Sequence, residues 1–264
     1  MLNNFFFCAG PPRSGTTWLY EMMKDHPDLH LPVIKEVGYF MHKYSKRKRV
    51  GLTEKFRMDQ FIRFVDRTKD CDLKIVIDSM DWWKQYLGGP INDDWYFKLF
   101  DGVKSGQWCA DFTPSTFYMP DVGWSFIKKI PNVKIIIISR DPLERFWSGF
   151  KQKIDHLGYD ELLHELTKEE YKYLIEKLEP YKWPPAESDS IEEVSKRILT
   201  HITEENFRVY EFEEIMNNPI GMLKNIEDFI GIRNIDYRDN QYFGMAPNPS
   251  TNVKIPDWFM DESS

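Results

Sequence analysis

The stretch CAGPPRSGTTWLYEMM, residues 8–23, follows an apolar run and has the composition of a loop that binds a phosphate group. Gly10, Gly15 and Thr17 fall at the glycine and hydroxyl positions of the pattern G-x-x-x-x-G-K-[ST]. In such a loop the backbone N–H groups surround an anion, and the helix that follows presents its positive end to it. The sequence therefore predicts an anion-binding turn between a strand and a helix.

The lysine of that pattern is missing. Thr16 stands in its place, and the cation of the loop is Arg13. A guanidinium can hold phosphate oxygens in bidentate fashion but is a poor proton donor. Because the usual lysine neutralises the β and γ phosphates, a loop without it suits a magnesium-bridged triphosphate poorly.

Strands and helices alternate along the chain, and each of the two clearest strands is followed by helical spacing. The predicted strands are residues 5–9, 74–78, 133–139 and 207–210, and helices are predicted at 16–24, 143–153 and within 160–178. This order predicts an α/β fold, a single P-loop-like domain over residues 1–264 with a central parallel sheet flanked by helices on both faces.

Composition limits the possible functions. Of the 264 residues, 42% are hydrophobic, which is enough for a sizeable core, and the formal net charge of −7 argues against general affinity for nucleic acid. Cys8, Cys71 and Cys109 are odd in number and widely spaced, so neither a disulfide framework nor a metal site is predicted. No run approaches 18 apolar residues, and the first residues have no basic leader. We expect a soluble, cytoplasmic protein without a membrane span.

The string PRSGTTWL, residues 12–19, resembles the 5′-phosphosulfate loop of sulfotransferases. These enzymes use 3′-phosphoadenosine 5′-phosphosulfate (PAPS) as co-substrate and release adenosine 3′,5′-bisphosphate (PAP). Most members of the family have lysine where this chain has Arg13. The resemblance implies that the donor is bound by Pro12, Arg13, Ser14, Gly15, Thr16, Thr17 and Trp18.

The same resemblance implies an arginine at the end of a later strand and a serine eight residues on, which together hold the 3′-phosphate of the donor. Arg140 and Ser148 occupy these positions in ISRDPLERFWS. Ligands of open α/β sheets bind at the carboxyl ends of the strands, where Arg140 is predicted to lie. Arg145 is expected to support the helix by ion pairing.

Residues 31–40, LPVIKEVGYF, resemble the K-E-x-x-[FY]-F motif of heparan-sulfate-type sulfotransferases, and this implies that Glu36 is the general base and Lys35 a second catalytic cation beside Arg13. A carboxylate with a pKa near 4.3 is a weak base unless burial or a neighbouring negative charge raises that pKa. An apolar wall from Tyr39, Phe40 and Trp18 would do so.

Histidines are alternative bases, because another branch of the family uses histidine. The candidates are His26, His30 and His42, and His42 is the best placed of them. His26 precedes a proline at a helix end, which favours a capping role.

Several further segments have two open interpretations. Asp111, Thr113 and Ser115 follow a predicted strand, in a segment similar to G-E-x-S-P-x-Y of carbohydrate sulfotransferases, and either orient the acceptor or serve packing and turn formation. The basic run 46–49 is either a solvated loop or an acceptor contact. The aromatic pairs 82–83 and 95–96 form either an acceptor cleft or part of the core.

Near the C-terminus, residues 246–254 resemble the loop that closes over the donor in the family, and Lys254 is predicted to contact the donor. The sequence as a whole predicts a sulfotransferase that acts on a hydroxyl or amine acceptor, a carbohydrate or small molecule, without a metal. The alternatives are a P-loop phosphotransferase and a nucleotide-binding scaffold without catalysis.

Overall fold

The computed structural model describes residues 3–45, 51–68, 73–159, 161, 163, 165–178, 189–245 and 253–259. The basic run 46–49, Cys71 and the loop 246–252 lie outside these ranges. The strands are β1 (Phe5–Cys8), β2 (Leu29–His30), β3 (Trp108–Phe112), β4 (Val133–Ser139) and β5 (Phe207–Glu211). The helices are α1 (Thr16–Met23), α2 (Tyr39–Tyr44), α3 (Glu54–Thr68), α4 (Leu73–Leu87), α5 (Asp93–Lys98), α6 (Asp121–Ile127), α7 (Pro142–His156), α8 (Lys168–Leu178), α9 (Ile191–Leu199), α10 (Phe212–Asn217) and α11 (Pro219–Ile230).

The strands form one parallel sheet in the order β2-β3-β1-β4-β5. β1 lies at its centre, with Phe5 opposite Cys109 of β3 on one side and opposite Val133 of β4 on the other. Parallel strands end at the same edge of a sheet, so the segments that follow β1, β3 and β4 meet there.

Both faces of the sheet are covered, and the residues of β4 alternate between them. Ile135 and Ile137 belong to a core that includes side chains of α2, α4, α5, α6 and α9. Ile136 and Ile138 belong to a second core with side chains of α1, α10 and α11. A continuous β-branched run is typical of a strand buried on both faces, and the predicted fold class is confirmed.

A smaller apolar cluster lies away from the sheet, between α7, α8 and the segment 253–259. Trp147 and Phe150 of α7 pack against Tyr171 of α8. Phe259 stacks on Phe146 and also contacts Trp147. These contacts place the C-terminal segment directly beside α7.

The prediction of a strand at 74–78 was wrong, since these residues lie inside helix α4. Its inward positions are Ser79, Trp83 and Tyr86, at helical spacing, whereas Ile75 and Ile77 are exposed. Within 160–178 the helix begins only at Lys168, and its Tyr173 is exposed. None of the helices in the described ranges has the length and apolar character needed to cross a bilayer.

Candidate active site

The predicted phosphate loop connects β1 to α1 in a tight turn that requires glycine. Gly10 has φ of 108°, and a Cβ atom there would lie 2.1 Å from the backbone oxygen of Pro114. Gly15 has φ of 80°, and its Cβ would lie 2.4 Å from Cδ1 of Ile215. The loop is therefore held between the turn after β3 on one side and α10 on the other.

The loop also offers hydrogen-bond donors that suit a phosphate. Ser14 is fully buried, and its Oγ has no hydrogen-bond partner within the described part of the chain. Thr16 and Thr17 begin α1, whose first backbone N–H groups have no partners within the helix. A buried hydroxyl without a partner is costly, and an anionic oxygen at this place would satisfy it.

The two predicted donor motifs, which are 135 residues apart, are in direct contact. Arg13 donates to Ser148 Oγ from Nε at 3.0 Å and from Nη2 at 2.8 Å. Arg140 donates from Nη1 to the backbone oxygen of Arg13 at 2.9 Å. Its guanidinium lies 4.1 Å from the ring centre of Phe212 and 3.3 Å from Glu144 Oε2. The strand end of β4, the helix α7 and the loop thus bring three predicted donor ligands to one place.

Asp141 begins α7, because its carboxylate accepts the backbone N–H of Glu144 at 2.9 Å. Arg145, which was expected to form an ion pair, is nearly buried, and its guanidinium lies 5.8 Å from the ring centre of Phe117. The helix is therefore oriented from both sides, by a cap and by an aromatic contact.

Lys35 and Glu36 lie in the segment after β2 and contact each other. Lys35 Nζ donates to Glu36 Oε1 at 2.6 Å. The Glu36 side chain is 54% exposed, and its backbone N–H donates to the oxygen of Phe112 at 3.2 Å. The expected apolar wall is not formed as predicted, since Tyr39 and Phe40 pack into one core and Trp18 into the other.

A chain of hydrogen bonds connects the core to this segment. Tyr96 donates to Asp111 Oδ2 at 2.7 Å, and Thr113 donates to Asp111 Oδ1 at 2.5 Å. Thr113 Oγ1 in turn accepts the backbone N–H of Gly38 at 3.5 Å. Asp111 lies inside β3 rather than after it, and burial raises its pKa. The sequence marks Asp111 and Thr113 as residues that orient the acceptor or serve packing and turn formation. Their hydrogen-bonded connection to Tyr96 is seen only in the folded structure.

The alternative bases make structural contacts. His26 is buried; its Nδ1 accepts the backbone N–H of Asp28, and its Nε2 lies 3.0 Å from the oxygen of Arg233. His42 Nδ1 accepts the backbone N–H of Leu52 at 3.0 Å. These contacts occupy at least one ring nitrogen of His26 and of His42. His30, at the end of β2, is half-buried, and burial lowers its pKa.

The aromatic pairs belong to the core. Trp83, Trp95 and Tyr96 are almost completely inaccessible, and Trp82 Nε1 donates to the backbone oxygen of Leu99. Trp82 and Tyr86 stack with ring centres 5.0 Å apart. Of the two open interpretations, the structure favours packing.

The segment that carries Lys254 is anchored to α7. The backbone oxygen of Val253 accepts from Trp147 Nε1 at 3.0 Å and from Lys151 Nζ at 3.2 Å. The Lys254 side chain is exposed. Its backbone therefore runs beside the helix of Ser148, while a contact with the donor stays a prediction.

Curated relatives are similar to this chain over slightly more than half of its length. The carbohydrate sulfotransferase 15 of Mus musculus is 24% identical over 156 residues, which cover 55% of this chain and 26% of the relative. The human heparan sulfate glucosamine 3-O-sulfotransferase 3B1 is 23% identical over 149 residues, with coverage of 56% and 37%. The chain thus spans less than two fifths of the length of these curated relatives.

A solved structure shares the fold. A sulfotransferase from Alicyclobacillus acidocaldarius superposes with a TM-score of 0.54 and 21% identity, and the match covers 99% of this chain and 90% of that one. The model of the family described as "Sulfotransferase family" matches residues 6–236, which include the phosphate loop, Glu36, Arg140 and Ser148. On that match, the chain belongs to the sulfotransferase family.

Proposed function

We propose that this protein transfers a sulfuryl group from PAPS to a hydroxyl or amine of an acceptor. The observation that carries the proposal is the contact of Arg13 with Ser148 and Arg140, because it joins the loop for the 5′-phosphosulfate to the pair for the 3′-phosphate. A site with both anchors selects a nucleotide that carries phosphate at both ends of its ribose.

The loop and α7 hold the donor in this proposal. Ser14, Thr16 and Thr17 supply hydrogen bonds to the 5′-phosphosulfate, and Arg13 adds the positive charge that stabilises the departing phosphate. Arg140 and Ser148 hold the 3′-phosphate. The buried Ser14 Oγ, which has no partner within the described residues, fits this role.

Glu36 is the proposed general base. It takes the proton of the acceptor hydroxyl or amine as that atom attacks sulfur, while the bond between sulfur and the phosphate oxygen breaks and PAP leaves. Lys35 Nζ, 2.6 Å from the carboxylate, keeps Glu36 in place and is the second cation near the transferred group. The names of the two curated relatives support a carbohydrate acceptor.

Ligand binding separates this proposal from a phosphotransferase. A ligand that binds only the folded state raises the free energy of unfolding, by about 2.7 kcal/mol at 100 times its Kd. We expect PAP to raise the thermal unfolding midpoint by several degrees and ATP with Mg²⁺ to raise it little. A larger shift with ATP and Mg²⁺ would favour a kinase.

Loss of the proposed base separates catalysis from binding alone. Glu36→Gln should lower the rate of transfer of labelled sulfate by about 100-fold or more, while the Kd for PAP changes little. Glu176→Gln on the exposed side of α8 is the matched control and should keep the full rate. The measurement screens glycans, phenols, peptidyl tyrosine and lipids as acceptors. A Glu36→Gln protein with the full rate would exclude Glu36 as the base.

We also propose that residues 1–264 form a single domain, since one sheet uses strands from Phe5 to Glu211.

A cytoplasmic location stays a prediction that rests on the odd number and wide spacing of the cysteines. Cys8 and Cys109 are buried free thiols, and burial raises the pKa of each to about 12.

A further inference from the structure

Lys151 of α7 lies one helical turn beyond Ser148 and has no role in the function proposed above. Residues three apart on a helix lie on the same face, so Lys151 and Ser148 point to the same side of α7. The Lys151 side chain is half-buried. Within the part of the chain that the structure describes, its ammonium donates to the backbone oxygen of Val253 at 3.2 Å.

Two of the charged groups that act on Lys151 are positive, as Lys151 itself is. Burial lowers its pKa, the positive charges of Arg140 and Arg13 lower it further, and Asp155 acts in the opposite direction. Lys151 therefore lies within electrostatic reach of both arginines of the proposed donor site. Arg13 contacts Ser148 Oγ, Arg140 contacts the backbone of Arg13, and Lys151 follows Ser148 by one helical turn. These three positive charges repel one another, and a bound dianion would relieve that repulsion.

A lysine ammonium has three N–H donors, and the bond to Val253 uses one of them. Val253 keeps a second partner in Trp147 Nε1, at 3.0 Å. The Lys151 ammonium can thus contact a phosphate without releasing the C-terminal segment from α7.

We propose that Lys151 is a third ligand of the donor's 3′-phosphate, beside Arg140 and Ser148. This inference rests on the proposed function, because it assumes that the nucleotide lies across the loop and α7. It assigns to Lys151 a share in the selection of 3′-phosphorylated nucleotides over those without that group.

The test compares two nucleotides that differ only in the 3′-phosphate. The Kd values for PAP and for adenosine 5′-phosphate are measured by calorimetry for the wild type and for Lys151→Met, which keeps the apolar stem of the side chain. A charge-assisted hydrogen bond to phosphate is worth about tenfold or more in affinity. We expect Lys151→Met to reduce the preference for PAP by about tenfold and to leave the Kd for adenosine 5′-phosphate unchanged.

Two control variants, and one replacement variant held in reserve, complete the test. Lys153→Met removes an exposed lysine of the same helix and should keep the wild-type preference. Lys151→Arg keeps the charge and the donors and should stay within about threefold of the wild type. If Lys151→Met does not fold, Lys151→Gln replaces it, since it removes the charge and keeps a donor for Val253.

The outcomes separate the two proposals. Equal weakening of both nucleotides by Lys151→Met would show that the lysine only anchors the C-terminal segment and would overturn the inference. So would an unchanged preference for PAP. A wild-type protein that binds adenosine 5′-phosphate as tightly as PAP would overturn the proposed donor site and this inference together.

Discussion

Two residues proposed to act on the reacting groups, Arg13 and Glu36, share an uncommon backbone conformation. Their φ angles are 68° and 64°, in the left-handed region that residues with a Cβ rarely adopt. Each is held by a neighbouring segment: Arg140 donates to the oxygen of Arg13, and the N–H of Glu36 donates to Phe112. Strain of this kind is found at functional sites, where it fixes the direction of a side chain.

The buried carboxyl of Asp111 predicts a specific dependence of stability on pH. Burial raises its pKa above the ordinary 3.8, while the hydrogen bonds from Thr113 and Tyr96 partly oppose that shift. A carboxyl with a raised pKa in the folded state stabilises the protein most below its unfolded pKa, and that contribution is lost as pH rises through the folded pKa. The free energy of unfolding of the wild type, relative to Asp111→Asn, should thus fall as pH rises above about 3.8.

Urea unfolding of both proteins between pH 4 and pH 8 measures this difference. The exposed Asp239→Asn is the control and should show a difference that does not vary with pH in the same direction. A difference that grows with pH would mean that the bonds from Tyr96 and Thr113 outweigh burial.

At the level of elements, the junction of the loop with α1 depends on its packing against α10. Gly15→Ala places a methyl group against Ile215 and within 3.2 Å of the Phe212 ring, on which Arg140 stacks. Gly158 has a similar φ of 74° but open space around it. Both alanine variants should lose about 1–2 kcal/mol of stability from the left-handed backbone.

Only Gly15→Ala should also weaken PAP binding, because Phe212 must move and Arg140 with it. Calorimetry with PAP and chemical unfolding of both variants measure the two effects separately. Equal PAP affinity in the two variants would show that the contact between the loop and α10 does not position Arg140.

The elements show how far the sequence predicts this fold. Val133–Ser139 was predicted with correct bounds, because five of its seven residues are apolar and β-branched, four of them in a row, and such a run has few alternatives in an α/β chain. The segment 74–78 was read as a strand because a window of five residues cannot show helical spacing. That spacing appears only over Ser79, Trp83 and Tyr86.

Candidate donor-site residues could be predicted from the sequence where they lie within a short motif. Arg13, Arg140 and Ser148 were identified from two short strings, and the fold brings them together. Lys151 was missed, since nothing marks it in the sequence except its spacing of three from Ser148. The link from Tyr96 through Asp111 to the segment of Glu36 joins parts of the chain that only the sheet brings together.

For the whole molecule, a sheet covered on both faces predicts that two neighbouring residues of a central strand contribute equally to the free energy of unfolding. Ile136 and Ile137 of β4 are both completely inaccessible but belong to different cores. Ile136→Ala and Ile137→Ala should each lower the free energy of unfolding by about 2–5 kcal/mol, measured by chemical unfolding.

In a strand with one exposed face, one of two neighbouring alanine substitutions would lower the free energy of unfolding strongly and the other only slightly. The matched control is Val209→Ala in β5, which is 38% exposed and should cost much less. A tolerated alanine at either isoleucine would mean that one face of the sheet is covered loosely.

The central position of β1 has a consequence for engineering. The groups proposed to grip the nucleotide come from β1, β4 and α7, on one side of that strand, whereas Glu36 is supported from β3 and α5 on the other. The two groups meet at β1, where the loop after that strand packs against Pro114 in the turn after β3. We therefore expect that a redesign of the acceptor range can exchange segments on the β3 side, provided that Pro114 and the shared core are kept, while the residues proposed to bind the nucleotide stay unchanged.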